Sequence, residues 1–535
     1  MRSFFIRYLA IAALGLTLVG LGCSSPGATT TSLDTGEVSG PPTTAPGSAA
    51  PGEVVLAVAA APFDDLDPAA AGTTGDLLLI HQIYDWLVEI DENGTLRPGL
   101  ALSWEESAST GWTFTLRPDV VFHDGETFDA DDVVFTFERL REAALAAPLG
   151  SGNAAPFAAI RSVIALTPER VLFVLAERDP EFPATLTESA AAVLSAGTPD
   201  PSREWVGTGP FVLWSYLPRS GAVLKRNPAY WARDGSGRLL PYLDGVDIVF
   251  EPDLEAALTD LEAGRVGFVG GLSGTEARVA ALVEGVALAQ VRSNEHLAIL
   301  MRSEPGSPLE DARVRRALKS ATDRPALATA VRAGFTTPGN DSPIGPFYGD
   351  RHLEWSPTVD REAALALLVE AGFPEGFALD LTVPDDPEAV ALALEWKAQM
   401  ETIGVRVTVV TDGSSSGSKD TEGLDVPVAR AKVTRSLTAA SPLSSLAETY
   451  RVAPAAGALW DDAEFGGVLK ELAETESEAA RTEVYHRAQE ILRDRGPAIV
   501  PFFELTVSGV DERLQGLAPA AYWPCTSLRT VFFGS

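Results

Sequence analysis

Cysteine is nearly absent from this chain: there are 2 in 535 residues, Cys23 and Cys525. If Cys23 is modified, Cys525 has no partner, so no intrachain disulfide is expected and stability must come from packing. Cys525 stands between Pro524 and Thr526 with no histidine nearby in sequence, and reads as a buried packing residue rather than a catalytic thiol. Histidine is also scarce. His81, His123, His296, His352 and His486 show neither i, i+4 spacing nor the flanking cysteines of a metal site, so no metal and no cofactor is expected. Positive charge falls short as well, with 41 Lys and Arg against 74 Asp and Glu. The formal charge of −33 argues against nucleic acid or anionic lipid surfaces as partners, because both are held by clustered Lys and Arg.

Motifs that carry chemistry are missing too. Gly207-Thr208-Gly209-Pro210-Phe211 has the glycines of a phosphate loop, but no Gly, Lys or helix start follows where phosphate would need them. Gly413-Ser414-Ser415-Ser416-Gly417 fits the nucleophile-elbow spacing, yet Ser418, Lys419, Asp420 and Thr421 continue a loop where the elbow requires an apolar-faced helix. With carboxylates this abundant, an Asp/Glu pair would discriminate nothing.

What is present begins at the N-terminus. Residues 1–22 place Arg2 and Arg7 ahead of the apolar run Tyr8 to Leu21, which is shorter than the ~20 residues of a membrane span, and read as a signal peptide. Gly22-Cys23 then suggests lipoprotein processing with the lipid on Cys23, although Gly20 fills the place where a lipobox usually has leucine. Residues 23–51 are rich in Ser, Thr, Gly, Pro and Ala and cannot bury enough surface to order themselves, so they form a disordered tether. The remainder is too long for one core, and two or three lobes are expected.

Local signals place elements along it. Val54, Leu56 and Val58 alternate as a strand, and Leu77 to Val88 reads as a helix with Leu79, Ile83, Trp86 and Leu87 inward and His81 as a surface or capping residue. The richest stretch is Leu116 to Leu140. Val120 and Phe122 lie on one side of an extended segment, Asp124-Gly125 turns the chain, and Asp129 caps a helix carrying Val133, Phe137 and Leu140 on one face. Asp131 and Asp132 fall in its first turn and Arg139 and Arg141 in its expected last, matching the dipole. Asp253, Asp311, Asp323, Asp360 and Asp386 open further helices, and Val405, Val407 and Val409 form a strand. Arg313, Arg315 and Arg316 read as a solvated face, Thr475-x-x-Glu478 as a capping box, and Ile499 to Phe503 as a strand.

The wording VxFHDGExFxAxDVVFTFERL within 116–140 resembles the signature of the family 5 extracellular solute-binding proteins, the oligopeptide- and dipeptide-binding subunits of ABC importers. Leu66-Asp67-Pro68, Tyr84-Asp85-Trp86-Leu87, the GTGPF segment at 207–211, Asn227-Pro228-Ala229-Tyr230-Trp231 and the run from Arg313 to Arg324 resemble its other landmarks in order. The resemblance implies an α/β, two-lobed periplasmic-binding-protein-like fold of type II with an extra subdomain and hinge crossovers. Lobe 1 would comprise 52–92, 207–290 and 498–535, the extra subdomain 93–206, and lobe 2 residues 291–497. It further implies a non-enzymatic, exported, lipid-anchored protein, a monomer, that captures a peptide or other small polar ligand between its lobes and delivers it to ABC permease subunits. A secreted lipoprotein hydrolase, or a non-transport surface binding or chaperone module on the same fold, are the alternatives. Peptide-binding members hold the ligand's ammonium with a WxxDxxxP-like segment; here Arg435 stands for the Trp and Thr438 for the carboxylate, so free-amine peptides should bind at least about tenfold more weakly than in peptide-binding relatives. Arg435 would favour a carboxylate, phosphate or sugar hydroxyl, with Thr73 and Thr74 on the opposite wall.

Overall fold

The computed structural model describes residues 54–59, 66–108, 110–146, 153–198, 200–217, 220–355, 357–411, 429–436, 441–443, 445–446 and 460–534. The leader, Cys23, the tether, the GSSSG segment and Thr438 lie outside them. None of the described helices is long and apolar enough to cross a membrane.

Side-chain caps explain where many helices begin. Asp253, Asp311, Asp323, Asp360 and Asp386 each accept a hydrogen bond from a backbone N–H of the first turn, satisfying groups that have no partner inside the helix. At Ala130–Ala146, Asp129 Oδ1 accepts from the Asp131 N–H and Asp132 Oδ2 accepts from the Asp129 N–H. Val133, Phe137 and Leu140 are buried there as their spacing requires. This helix runs beyond its expected end, so Arg139 and Arg141 precede its last turn; they pair instead with Asp67 and Glu138.

Two large sheets carry the architecture. An eight-stranded sheet runs Val286–Arg292, Phe502–Asp511, Phe268–Val269, Val54–Ala59, Gly245–Phe250, Gly221–Arg226 and Phe211–Leu217, with Thr336–Pro338 also paired to Phe502–Asp511. A five-stranded sheet runs Arg406–Thr411, Ala378–Val383, Ala429–Ser436, His296–Met301 and Ala498–Ile499. Helices cover both, which makes the fold α/β. A separate four-stranded antiparallel sheet, from Ala101–Ala108, Gly111–Leu116, Arg170–Leu175 and Ile160–Thr167, packs against Ala130–Ala146 through Phe114, Phe137 and Phe173. The chain passes between the two large sheets at 293–295 and again at 500–501. The second passage splits the expected strand Ile499 to Phe503, because each half bonds to a different sheet.

Three local readings are revised, the first two by tertiary partners and the third by neighbours in sequence. The helix Thr74–Ile83 ends before Tyr84, where Trp86 O and Leu87 O accept from Leu100 and Ala101 N–H and the Ile83 carbonyl accepts from Gly209 N–H. Arg315 is buried, not solvated: its guanidinium donates to the carbonyls of Leu309, Glu310 and Arg495. The helix Glu478–Arg495 is capped by Ser477, while Thr475 ends the preceding helix by donating to Glu471 O.

Candidate functional site

The landmark segments converge on one buried carboxylate. Asp85 accepts from Thr208 Oγ1 (3.0 Å), Tyr230 OH (3.2 Å) and Trp231 Nε1 (2.9 Å), tying the end of the first helix to the GTGPF segment and to Asn227–Trp231. Burial, and then Glu89, raise its pKa against Trp231, Arg529 and Thr208. Gly207 and Gly209 permit the approach: a Cβ on Gly207 would stand 2.0 Å from the Ile83 carbonyl oxygen. His123 closes the knot, its N–H donating to Gly207 O and its Nε2 lying 3.0 Å from Gly209 O.

A cavity of about 380 Å³ opens beside this knot. Its wall comes from residues 81–92 with Arg97, from 187–189, from Phe347 and from the segment 518–530. Aromatic and charged groups both contribute to it. His81 stacks on Trp86 with centroids 4.1 Å apart and planes 14° from parallel, so it is a wall residue and not the surface or capping group its sequence suggests. Glu89 is gripped by both Arg529 terminal nitrogens, at 2.7 and 2.6 Å, and Arg97 pairs with Asp91 at 2.7 Å near the rim.

The same wall holds a thiol, a hydroxyl and an imidazole in a row. Ser189 Oγ lies 3.3 Å from His81 Nε2 and 3.4 Å from Cys525 Sγ. Burial lowers His81 to about 3 and pushes Cys525 up to about 12, with Ser189 opposing the latter and Glu188 and Glu295 adding to it. The imidazole is therefore neutral and the thiol protonated at neutral pH, and neither is an activated nucleophile or base. Among the described residues no group of three or more His, Cys, Asp or Glu is placed to hold a metal ion.

A second polar cluster sits where the chain passes between the large sheets. Arg435 binds Glu504 at 2.6 Å, Glu388 at 2.7 Å and Asp386 at 3.1 Å. Burial works against its charge, but those carboxylates outweigh burial and hold its pKa above the ordinary arginine value. Arg332 adds contacts to Glu388 at 2.7 Å and Glu504 at 3.5 Å. Glu295 completes the group from the first passage, where its carbonyl accepts from Glu504 N–H at 2.8 Å. Its carboxyl is pushed up to about 7 by burial and then by Glu504, and its Oε1 is shut off from water without a hydrogen-bond partner. Chain neighbours of the cluster reach toward the cavity wall. Thr506 Oγ1 donates to Ala521 O in the cavity wall, and Asn294 Oδ1 accepts from Gly345 N–H, two residues from Phe347.

Thr73, Thr74 and Arg435 are not brought together around one space. Thr73 is the N-cap of Thr74–Ile83 in a reciprocal capping box with Asp76. Thr74 starts that helix with its Oγ1 buried and unbonded, and neither threonine lines the cavity. Arg435 is surrounded by carboxylates, which leaves its guanidinium already matched. Asp85, Glu295, Glu504 and the His81–Trp86 stack escaped sequence reasoning. Asp85 and Trp86 lie inside the Tyr84-Asp85-Trp86-Leu87 landmark and could have been found there; Glu295 and Glu504 are 209 positions apart with no local pattern between them.

Comparison with known proteins now bears on this geometry. The family description "Bacterial extracellular solute-binding proteins, family 5 Middle" matches residues 95–449. The dipeptide-binding protein of Escherichia coli K12 is 26% identical over 497 residues, covering 83% of this chain and 88% of that protein. Heme-binding protein A of Haemophilus influenzae is 26% identical over 495 residues, covering 82% and 85%. The solved structure of HbpA2 from Haemophilus parasuis superposes with a TM-score of 0.76 at 24% identity, covering 90% of this chain and all of that one, and shares its two-lobed α/β fold. The chain belongs to the bacterial extracellular solute-binding proteins, family 5, proteins that bind solutes and do not transform them.

Proposed function

We propose that this chain is a lipid-anchored receptor that captures a peptide or similar small polar solute and passes it to the permease subunits of an ABC importer. The observation that carries the reading is the cavity of about 380 Å³ walled by residues of the first helix and the segment after it, by 187–189, by Phe347 and by the segment 518–530. A ligand that contacts both lobes only when they are closed shifts the population toward the closed form, and Phe347 is the wall residue that the second lobe contributes. The relatives support the solute class, since one is named for dipeptides and another for heme. The leader, Cys23 and the tether support anchoring at the outer face of the cell membrane. In the same reading 93–206 is a subdomain of lobe 1 and the whole is a monomer.

Two experiments test the parts separately. Cys23→Ala should move the protein from the membrane fraction to the soluble fraction; unchanged fractionation, with a mature N-terminus mapped elsewhere, refutes anchoring at Cys23. The purified chain lacking residues 1–23 should be stabilised by about 2.7 kcal/mol at 100 times the dissociation constant of a true ligand. A thermal-shift screen of peptides, N-acetylated peptides, oligosaccharides, organic anions and haem that leaves the transition unmoved refutes the receptor reading.

A further inference from the structure

We propose that Arg178 and Glu181 form a latch that holds the two halves of the molecule together before any solute arrives. Neither residue lines the cavity, so the latch acts whatever the solute is.

The halves are defined by their cores. Phe114, Phe137 and Phe173 of the four-stranded unit share one apolar cluster with Ile248 and Phe268 of the eight-stranded sheet, and so form one body with it. The five-stranded sheet has a separate core. The helix Glu478–Arg495 is tied to that second body, because Lys319 Nζ donates to Leu492 O and the Arg315 guanidinium to Arg495 O. The helix Ala463–Glu474 goes with it, its Leu472 clustering with Val484 and Ala488. Between the bodies the chain passes at 293–295 and 500–501.

Away from those passages, the segment 178–181 reaches from the first body to the second. Arg178 is held in place by Glu106 of the strand Ala101–Ala108, through Nε at 2.8 Å and Nη2 at 3.0 Å, and its Nη1 donates to Ala473 O at 3.0 Å. That carbonyl lies in the last turn of Ala463–Glu474, where carbonyls have no partner inside the helix and the dipole favours a cation. Glu181 is 6% exposed, with Oε1 standing 3.5 Å from Arg351 Nη1 and Oε2 accepting from Leu443 N–H at 3.4 Å. Its carboxyl also acts on the Tyr485 hydroxyl in Glu478–Arg495. Although Glu181 stands at the start of the short helix Phe182–Thr185, its side chain makes no cap there. Among the described residues, the hydrogen bond and the ion pair of its side chain both cross to the second body.

Opening would return this carboxylate to water, where hydration replaces what the contacts supplied, so the latch biases the halves together without locking them. Contacts of 3.4 and 3.5 Å are long, and their worth is that of about one charge-assisted hydrogen bond, a bias of roughly tenfold toward the closed form. Chains closed beforehand lose less apparent affinity to the conformational step.

The test is small-angle X-ray scattering of the solute-free, purified chain lacking residues 1–23. Wild type is compared with Glu181→Gln, Arg178→Ala and Glu478→Gln, and melting curves establish that each variant is folded. Glu181→Gln and Arg178→Ala should each lower the ratio of closed to open chains by about tenfold and raise the radius of gyration. Glu478→Gln removes a partner that Arg351 has at 3.5 Å within the second body, and should scatter as wild type does. If Glu181→Gln does not fold, Arg178→Ala decides the matter. Should a folded latch variant scatter as wild type does, or should Glu478→Gln expand the chain as much as they do, this inference is overturned. The receptor reading then stands, since no solute enters the measurement.

Discussion

Replacing Glu295 by Gln should make the protein more stable at pH 8 and leave it nearly unchanged at pH 4. The carboxyl is pushed from 4.5 to about 7 in the folded chain, by burial first and by Glu504 second, against Arg435 and Arg332. Below pH 4.5 both folded and unfolded chains carry the proton and nothing is lost. Between 4.5 and 7 the unfolded chain has released it while the folded chain still holds it, so stability falls as pH rises. At about 1.4 kcal/mol per unit, the full interval amounts to about 3 kcal/mol, all of it gone once pH passes 7. The amide keeps a similar shape and does not titrate, so its profile lacks this fall. Urea unfolding followed by tryptophan fluorescence, at half-unit steps from pH 4 to pH 8, gives the difference between the two proteins at each step. Parallel profiles would show that Glu295 is ionised at its ordinary value, and the account of the cluster would be wrong.

Arg435→Ala should destabilise by about 2 kcal/mol at pH 7, below the figure for a fully buried pair because the side chain is part-exposed, and the loss should shrink toward pH 4 as Glu504, whose pKa burial raises, takes up a proton; denaturant titration at the two pH values checks it. Asp129→Ala removes the acceptor for the Asp131 N–H and should lower stability by about 1 kcal/mol without altering solute affinity, so unchanged melting with lost binding would overturn its assignment as a capping residue. Gly207→Ala places a methyl carbon against the Ile83 carbonyl, where backbone cannot yield cheaply; a drop of at least 2 kcal/mol is expected, and a melting temperature equal to wild type would contradict the packing described.

Features settled within a few residues were legible in the sequence. Aspartates at helix starts act on N–H groups two or three positions away, and the apolar face of Ala130–Ala146 follows from spacing alone. The capping box at Thr475 failed locally, Ser477 taking the cap, but two other readings failed where a distant partner decided the outcome. The helix Thr74–Ile83 stops because residues 100, 101 and 209 take its following carbonyls, and Arg315 is buried because a carbonyl 180 positions away accepts from it. The site is legible only in fragments for the same reason. Arg435 draws the eye by replacing an aromatic, but its meaning depends on Asp386, Glu388 and Glu504, and only folding puts them beside it.

The pairing of Phe502–Asp511 with Phe268–Val269, itself parallel to Val54–Ala59, carries a consequence for how the molecule comes into being. Gln82 likewise waits for the far end of the chain, donating to Thr526 O and accepting from Leu528 N–H. At ribosomal speeds of about 5–20 residues per second, about 20 to 90 seconds separate the appearance of the first strand from that of the strand that completes its sheet. During that interval the early segments have no finished sheet to join, and closure across so long a loop is slow. The nascent chain is thus kept from completing its first sheet by its own topology.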